Sequence, residues 1–343
     1  MHRCIQLAQN GKGFVAPNPM VGAVVVHNDT IIGEGFHRQY GDAHAEVNAI
    51  DSVKDPSLLK QSTLYVNLEP CSHYGKTPPC SQLIIDKKIP KVVIGCVDPF
   101  SEVSGRGIRM LQNAGVDVKV NVLKEECEQL NIRFFTFVQK KRPYIILKWA
   151  QSADGFIDKK RNPGDGKKPA CLSDDFTQIA THKMRAEESA ILVGFNTALL
   201  DNPALTTRLW NGKNPLRIAI DKDLNIPENF NLLDGSTPTL IYTNKEKGSE
   251  KNIIYPKIEF DKDILPQITA DLYKRNIQSL IVEGGSILLN NFIQSGLWDE
   301  ARMETAFILL DSGVPAPELK GNLLNVQKCK NSVISQYKNQ HIL

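Results

Sequence analysis

One histidine, one glutamate and two cysteines have types and spacing that could do chemistry. His44 and Glu46 belong to a His-Ala-Glu triplet, and Cys71 and Cys80 lie in the downstream segment PCSHYGKTPPC. We interpret His44, Cys71 and Cys80 as ligands of one zinc ion, whose fourth tetrahedral position stays open for water, as in catalytic sites. Zinc lowers the pKa of that water, so hydroxide is available near neutral pH. Glu46 would carry protons without binding the metal.

Each part of this pattern also has an ordinary structural explanation. A histidine and glutamate on a helix are commonly a solvated pair, and cysteines in a cytosolic chain are commonly small buried hydrophobic residues. The prolines before Cys71 and Cys80, together with the upstream triplet, favour the metal site. Zinc nucleobase deaminases carry H-x-E and then P-C-x-x-C. Here eight residues separate the cysteines, too many for a zinc knuckle.

These segments, with PNPMVG at residues 17–22, resemble the bifunctional deaminase-reductases of riboflavin biosynthesis. The resemblance implies an N-terminal three-layer α/β/α fold like cytidine deaminase and a C-terminal α/β fold like dihydrofolate reductase. It implies two reactions, which are zinc-dependent deamination of a diaminopyrimidine ribotide and NADPH-dependent reduction of its ribosyl group. It covers nearly the whole chain, is strongest over residues 15–110 and 144–210, and is weakest after residue 299.

Length and composition are those of two globular domains. The 343 residues suffice for two cores, and 41% of them are hydrophobic and 23% charged. A net charge of only +3 gives no reason to expect a nucleic acid or an anionic membrane as partner. Seven cysteines without a regular framework fit a reducing cytosol. No signal peptide or apolar run of membrane-spanning length is apparent, so we expect a cytoplasmic protein.

The elements of the first half must bring the three zinc ligands together. A helix over 43–50 would place His44 and Glu46 near its start, and a strand over 63–66 would lead into the cysteine segment. Cys80 would open the next helix. The other predicted elements are helices over 2–10, 108–114 and 123–139, a hairpin of strands 21–26 and 31–32, and strands 92–95 and 116–120.

The resemblance also implies the substrate contacts of the first domain. It makes Asn18 a ligand of the pyrimidine, and His37, His73 and Lys76 contacts of the sugar and phosphate. From the sequence alone, Asn18 is equally typical of a turn between prolines. Lys76 is equally typical of a solvated loop, although a lysine is a suitable point charge for phosphate.

The segment Lys140-Lys141-Arg142-Pro143 is a charged break with a proline, and we place the domain boundary there. Residues 1–141 would form the deaminase and residues 142–343 the reductase. In the second half we predict strands over 144–148, 190–194, 216–221, 239–243, 279–283 and 306–310. We also predict a mobile loop over 159–169, a helix over 174–186 with Ser173 as N-cap, and a helix opened by Gly284-Gly285.

The segment KWAQSADG after residue 147 and the spacing T-x-x-x-D-x-P-x-L-T-x-R from Thr197 to Arg208 resemble the reductase domain of the family. Gly-Gly at a strand end allows a phosphate to approach free N–H groups, but it is also typical of a plain turn. No G-x-G-x-x-G fingerprint is present. The implied substrate contacts are Lys148, Arg185, Leu205, Arg208 and Glu283. The implied NADPH contacts are Ala150, Cys171, Thr197, Asp201, Lys222, Gly285, Ser286, Ile287, Leu288, Leu289, Asn290 and Asn291.

The C-terminal residues resemble the deaminase-reductase family least well. Residues 329–343 are polar, so we expect a last strand that is short or poorly matched, which leaves open the dimer contacts and the efficiency of the reductase. The family implies a homo-oligomer, either a dimer or a tetramer. Two other functions compare less well. A nucleic-acid-binding zinc protein would need a basic face and interleaved aromatics, and a tRNA or cytidine deaminase fused to an unrelated reductase would not have this cysteine spacing or Lys76.

Overall fold

The computed structural model describes residues 1–73, 78–100, 104–166 and 168–340. The chain divides into two compact units, Met1–Lys141 and Arg142–Leu343, called unit 1 and unit 2 below. No helix among the described residues is long and apolar enough to cross a membrane.

Unit 1 is built on a five-stranded mixed sheet. Its strands are β1 Gly22–His27, β2 Thr30–Phe36, β3 Thr63–Leu68, β4 Lys91–Cys96 and β5 Asp117–Lys119, in the order β2-β1-β3-β4-β5. Strand β1 is antiparallel to both neighbours, and β3, β4 and β5 are parallel. The carboxyl ends of the parallel strands therefore share one edge, and β3 delivers the cysteine segment there.

The α-helices in the described part of unit 1 cover this sheet on both faces. They are α1 His2–Gln9, α2 Ala45–Asp51, α3 Cys80–Asp86, α4 Arg106–Asn113, α5 Lys124–Leu130 and α6 Ile132–Lys140. Side chains of a strand alternate between faces. Ala23 and Val25 belong to the core that α2, α3 and α4 cover, whereas Val24 belongs to the core under α1. These layers are helix, sheet and helix.

The single helix predicted over 123–139 is wrong, because the chain forms two helices there. Asn131 lies between them with φ −103° and ψ 23°, outside the helical range. Its buried side chain accepts a hydrogen bond from the Met20 N–H at 2.8 Å and donates one to the Met20 carbonyl at 2.9 Å. The helix is interrupted because this asparagine holds the segment that carries Asn18.

Unit 2 is built on a nine-stranded sheet whose central strands are parallel. The order is β11-β10-β9-β8-β12-β6-β13-β16-β15. The strands are β6 Tyr144–Gln151, β8 Ala190–Val193, β9 Leu216–Ile220, β10 Thr239–Tyr242, β11 Ile253–Ile254, β12 Ser279–Glu283, β13 Glu300–Ala306, β15 Asn322–Lys328 and β16 Ser332–Lys338, while β7 Phe156–Asp158 pairs with β14 Val314–Pro315. Strands β8, β12 and β6 are adjacent and parallel, so the residues that follow them meet at one edge.

The α-helices in the described part of unit 2 are α7 Asp175–Glu187, α8 Phe195–Asp201, α9 Ile264–Lys274 and α10 Ser286–Gln294. The prediction that Ser173 is the N-cap of α7 is wrong, because the N-cap is Asp174. The Asp174 carboxylate accepts a hydrogen bond from the Thr177 N–H at 3.0 Å. The Ser173 hydroxyl instead donates to the buried carboxylate of Glu304 at 2.6 Å, which removes it from the helix end.

The predicted C-terminal strands were also wrong. The strand expected over 306–310 lies earlier, at Glu300–Ala306. Strand β16 pairs with it without interruption, from Ala306 opposite Ser332 to Glu300 opposite Lys338. The last strand is therefore neither short nor poorly matched. Strand β15, which is exposed along its length, completes an antiparallel hairpin with β16.

Candidate active sites

His44, Cys71 and Cys80 converge in unit 1. The His44 Nδ1 atom lies 3.6 Å from Cys71 Sγ and 3.4 Å from Cys80 Sγ. All three potential ligand atoms lie within 4.8 Å of one another. Zinc bonds of about 2.0 to 2.3 Å place tetrahedral ligand atoms roughly 3.5 to 3.8 Å apart. The cluster therefore has the dimensions of a zinc site.

Two helix starts and one strand end position these ligands. His44 is the N-cap of α2, with an extended backbone, and Cys80 is the first residue of α3. The Cys80 N–H donates to Cys71 Sγ at 3.2 Å, and the Ser81 N–H donates to the Cys71 carbonyl at 3.2 Å. A hydrogen bond from the Cys80 side chain holds the pKa of the Cys71 thiol well below its ordinary value. Cys71 is thus prepared as a thiolate, the form that binds metal.

Glu46 lies in the first turn of α2, beside the ligand cluster. Glu46 is only 3% exposed. Burial raises the pKa of its carboxyl to about 7, and the negative charge of Cys71 raises it further. A carboxyl group with this pKa can accept and release a proton near neutral pH.

Asn18 and His37 adjoin the same cluster. The His37 Nδ1 atom lies 3.1 Å from the Ala43 carbonyl, which can only accept, so Nδ1 carries the proton. Nε2 then accepts a hydrogen bond from the Asn18 amide nitrogen at 3.1 Å. The rings of His37 and His44 meet edge to face, with centroids 5.6 Å apart. Burial lowers the pKa of His37, which keeps this acceptor neutral.

Of the three predicted sugar and phosphate contacts, His37 adjoins the ligand cluster, and His73 and Lys76 lie in the cysteine segment. His73 is exposed at the end of the described part of this segment. Lys76 lies outside the described residues, within 74–77.

In unit 2, Lys148 and Arg185 share the carboxylate of Glu283. Lys148 Nζ lies 3.1 Å from one oxygen, and an Arg185 nitrogen lies 2.8 Å from the other. The three side chains are 11 to 16% exposed. Burial alone would raise the pKa of Glu283, but the positive charges of Lys148 and Arg185 lower it to about 2. The group holds two cations and one anion at the end of β12.

Arg208 and Leu205 lie on the segment that follows α8. The Arg208 N–H donates to Nδ1 of buried His182 at 2.9 Å, and its guanidinium donates to the Thr206 hydroxyl at 3.0 Å. Arg185 donates to the Thr206 carbonyl at 3.4 Å, so Thr206 contacts both arginines. Leu205 is buried, with a φ of +53°, and its side chain packs away from solvent.

Thr197 packs against the Gly-Gly turn between β12 and α10. Gly284 and Gly285 have φ of +94° and +65°, and a Cβ on Gly284 would lie 2.8 Å from Thr197 Cγ2. Only glycine tolerates this backbone and this close approach. Gly285 has no side chain to cap α10, so the N–H groups of the first helical turn can meet an anionic ligand. The arrangement fits a dinucleotide phosphate.

The predicted contacts along α10 differ in accessibility. Ile287 is 69% exposed, whereas the Leu288 and Leu289 side chains belong to the core of unit 2. Leu288 can therefore offer a ligand only its backbone, and the Leu289 N–H already donates to the Gly285 carbonyl at 3.1 Å. The Asn290 amide nitrogen donates to the Ser286 hydroxyl at 3.2 Å.

The remaining predicted NADPH contacts are scattered over unit 2. Asn291 and Lys222 are exposed, and Lys222 Nζ lies 5.9 Å from the centre of the Phe260 ring. Cys171 is exposed before α7, and Ala150 is half-buried on β6. No contact brings these four residues together within the described chain, so their common role stays a prediction.

Asp201 contacts Arg161, a residue of the loop predicted to be mobile. The Arg161 guanidinium is 4% exposed, lies 2.5 Å from Asp201 Oδ1, and also pairs with Asp158. It donates to the Leu200 carbonyl at 3.2 Å. Asp158 accepts the Ala170 N–H at 2.9 Å. Arg161 therefore fastens the start of this loop to the end of α8.

Sequence reasoning missed four polar residues that organise these sites, and all four are strongly buried by neighbours distant in sequence. They are Glu69, Arg161, His182 and Glu304. Glu69 had a local signal, because a carboxylate directly before Pro-Cys at the end of an apolar strand needs a partner. His182 and Glu304 had none, since their partners lie on other elements, and the nearby pair of Arg161 with Asp158 did not indicate the contact with Asp201.

Two family models match separate parts of the chain. The RibD C-terminal domain matches residues 143–339. The cytidine and deoxycytidylate deaminase zinc-binding region matches residues 1–96. The expected fold classes of the two domains are thereby confirmed.

Individual relatives match over nearly the whole chain. The riboflavin biosynthesis protein RibD of Bacillus amyloliquefaciens is 40% identical, over 93% of this chain and 86% of that protein. The RibD of Aquifex aeolicus is 37% identical, over 93% and 89%. A crystal structure of a diaminohydroxyphosphoribosylaminopyrimidine deaminase/5-amino-6-(5-phosphoribosylamino)uracil reductase from Thermotoga maritima superposes with a TM-score of 0.88 at 36% identity, covering 99% of this chain and 97% of that one. The chain therefore belongs to the RibD family of riboflavin biosynthesis, whose members join a zinc-dependent deaminase to an NADPH-dependent reductase.

Proposed function

We propose that unit 1 hydrolytically deaminates 2,5-diamino-6-(5-phosphoribosylamino)pyrimidin-4(3H)-one. Unit 2 then reduces the ribosyl group of the product to give 5-amino-6-(5-phosphoribitylamino)uracil. The Thermotoga maritima relative is named for a deaminase and a reductase of this pathway chemistry. The observation that carries the proposal is the cluster of His44, Cys71 and Cys80 beside the buried carboxyl of Glu46.

The donor set of this cluster suits zinc. One imidazole nitrogen and two sulfurs, all within 4.8 Å, match the ligands and size of a catalytic zinc site with three protein ligands. When bound there, zinc supplies Lewis acidity, which makes water a nucleophile near neutral pH.

Glu46 moves the protons of the deamination. It takes a proton from the attacking water and delivers it to the ring nitrogen. It then takes the second proton of that water, from the hydroxyl now bound to the ring carbon, and delivers it to the departing amine, so a carbonyl forms and ammonia leaves. The pKa of about 7 that burial imposes on this carboxyl suits both directions of transfer. Because α2 holds Glu46 one turn from His44, the proton carrier and the metal ligand are fixed on one rigid element.

Asn18 orients the pyrimidine, and His37, a contact of the substrate's sugar and phosphate, holds Asn18 in place. The Asn18 amide nitrogen donates to neutral His37, which fixes the amide plane and turns its oxygen in a defined direction as an acceptor for substrate N–H groups. His73 and Lys76 bind the ribose phosphate from the cysteine segment, where the charge of Lys76 suits a phosphate.

Lys148, Arg185 and Arg208 bind the phosphorylated sugar in unit 2. Lys148 and Arg185 together carry one more positive charge than Glu283 neutralises. An anionic phosphate can therefore be bound without leaving a buried carboxylate unpaired. Thr206 connects the two arginines through hydrogen bonds, and Leu205 closes the apolar side of this segment.

When bound in unit 2, NADPH supplies the hydride that reduces C1 of the ring-opened ribose. The first turn of α10, from Gly285 to Leu288, holds its phosphates by backbone N–H groups, and Thr197 packs beneath the Gly-Gly turn. Leu289, Asn290 and Asn291, further along the helix, are additional contacts of the cofactor. Asp201 holds the cofactor from the end of α8, with Ala150, Cys171 and Lys222 as further contacts.

The chain forms a homo-oligomer, a dimer or a tetramer, through unit 2. The support is the edge strand β15, where Leu323, Leu324 and Val326 are 52 to 59% exposed. An exposed apolar sheet edge is a surface on which a second chain can pair. Light scattering of the wild type and of Leu324→Lys tests this, since the variant should lower the mass, and a monomeric wild type would contradict the proposal.

Mass spectrometry of the reaction products tests the two-step function. Zinc-loaded protein should convert the diamino substrate to its deaminated product without NADPH, releasing ammonia. With NADPH, the product should also gain two hydrogens. Glu46→Gln is the matched control and should make neither product from the diamino compound, but should still reduce the deaminated one. Unchanged diamino substrate with zinc-loaded wild type would contradict the assignment.

A further inference from the structure

Glu69, which precedes Pro70-Cys71 at the end of β3, is a buried carboxylate that accepts hydrogen bonds from four backbone N–H groups of the described chain. One oxygen accepts hydrogen bonds from Asp98 at 3.3 Å and Gly105 at 2.9 Å. The other accepts from Gly107 at 2.9 Å and Ile108 at 3.4 Å. The residue is only 4% exposed. The same side chain therefore binds both the N-terminal turn of α4 and residues that precede this helix.

The chemistry of this contact requires a carboxylate. All four partners are donors, and an ionised carboxylate accepts with both oxygens. An amide of the same shape would accept with one oxygen and direct an NH₂ group at two N–H donors. A negative charge is also favoured at a helix N-terminus, where backbone dipoles converge. Gly105, the N-cap of α4, has no side chain of its own to serve this purpose.

The contact reaches the metal cluster through the backbone of Pro70. A Cβ on Gly107 would lie 2.1 Å from the Pro70 carbonyl oxygen, so α4 packs directly on the residue between Glu69 and Cys71. The Glu69 N–H also donates to the Cys96 carbonyl at 3.0 Å. On its other side, Cys71 is fixed by the Ser81 N–H and hydroxyl at its carbonyl. The backbone is therefore held on both sides of the Cys71 side chain, by α4 at Pro70 and by Ser81 at the Cys71 carbonyl.

A carboxylate near a metal could bind the metal or carry protons, and Glu69 does neither. Its two oxygens are already occupied by N–H donors, and the ligand cluster in the described chain consists of His44, Cys71 and Cys80. The remaining distinction is between a residue that only stabilises unit 1 and one that sets the position of a metal ligand.

We propose that Glu69 is a positioning residue for the zinc ligand Cys71. By binding the start of α4, it fixes the direction in which the chain leaves β3 and thereby holds Cys71 Sγ at the distance from His44 and Cys80 that zinc requires. This inference rests on the proposed zinc-dependent deamination.

The test compares zinc affinity of the full chain with that of its Glu69→Gln variant, using competition with a chromophoric chelator. Loss of groups that orient metal ligands typically weakens metal binding about 10- to 100-fold, and we expect a rise of that size in the zinc dissociation constant. Glu34→Gln is the control, because this unit 1 carboxylate pairs with Arg3 at the surface. Reduction of the deaminated substrate by unit 2 should be unchanged in both variants.

A zinc dissociation constant equal to that of the wild type, with only a lower melting temperature, would overturn the proposal. If Glu69→Gln does not fold, Glu69→Asp replaces it, since aspartate keeps the charge but is one methylene too short to bind the same four N–H groups. The zinc dissociation constant of Glu69→Asp is then compared with that of the wild type in the same way. A wild-type chain that binds no zinc would overturn the proposed deaminase itself, whereas normal wild-type binding with an unaltered variant would overturn only the role of Glu69.

Discussion

Lys148 Nζ lies 3.1 Å from one carboxylate oxygen of Glu283, and Arg185 approaches the other oxygen to 2.8 Å. The two cations come from β6 and α7, and the anion from the end of β12, where the Gly-Gly turn begins. One carboxylate thus orders two basic side chains next to the start of α10. The cations proposed to bind substrate and the Gly-Gly turn proposed to bind the cofactor are therefore neighbours.

Glu283→Gln should destabilise unit 2 in a pH-dependent way. The pKa of Glu283 is lowered from 4.5 to about 2, so the ionised carboxylate stabilises the folded state above pH 4.5, by roughly 3 kcal/mol. This contribution is lost as the pH falls from about 4.5 toward about 2. Urea unfolding of both proteins at several pH values should show a difference in unfolding free energy that shrinks on acidification.

The control for this prediction is Glu259→Gln in the same unit. Glu259 pairs with Lys262 at the surface, and exposed pairs contribute about 0 to 1 kcal/mol. This variant should be close to the wild type throughout. A Glu283→Gln difference that stays constant with pH would mean that the charge of Glu283 is not what stabilises the fold.

Glu46→Gln and Cys80→Ser should separate proton transfer from metal binding. Loss of the proton carrier should reduce deamination about 100- to 10,000-fold while zinc stays bound. Cys80→Ser removes a ligand sulfur, so both zinc and deamination should be lost. Metal analysis and ammonia release on the same samples check this. Near-normal deamination by the Glu46 variant would contradict its assigned role.

The zinc cluster could be predicted from sequence because each ligand stands at a recognisable boundary. His44 precedes an apolar helical pattern, Cys71 follows a strand, and Cys80 follows Pro-Pro at a helix start. Such signals are local, since they depend on residues within one turn or strand of the ligand. The same applies to Gly284 and Gly285, whose position between a strand and a helix was apparent.

Contacts between distant segments could not be predicted in this way. Arg161 and Asp201 are 40 residues apart, and the pattern of charges around Arg161 indicated only a solvated loop. Asn131 interrupts a sequence with continuous helical periodicity because it binds Met20, far away in the chain. The C-terminal hairpin lacked a clear strand pattern because β15 is exposed on both faces, so no alternation of apolar and polar residues marks it.

Gly284→Ala should weaken NADPH binding. Its φ of +94° disfavours any side chain, and the new Cβ would meet Thr197 at 2.8 Å. Strain of this kind costs about 1 to 3 kcal/mol, and relieving it would displace the start of α10. Gly248→Ala is the control, because a Cβ there meets nothing within 4 Å. Fluorescence titration with NADPH should show weaker binding only for Gly284→Ala, and equal affinities would remove the Gly-Gly turn from the cofactor site.

The two activities should be separable, because each unit has its own core. The proposed zinc ligands and Glu46 precede residue 142. The ion-paired group of Lys148, Arg185 and Glu283 follows it. A fragment of residues 142–343 should therefore oxidise NADPH with the deaminated ribosylaminouracil phosphate, but not with the diamino compound.

In the full chain, Asp201→Asn gives the matching result without truncation. The neutral amide weakens the contact with Arg161, which lies 2.5 Å away, and removes the charge proposed to hold the cofactor, so hydride transfer should fall. Ammonia release should stay near the wild-type rate, since no residue of unit 1 changes. NADPH absorbance and ammonia are measured on the same samples. If a folded Asp201→Asn variant lost both activities together, the two reactions would share one site, and the division of chemistry at residue 142 would be wrong.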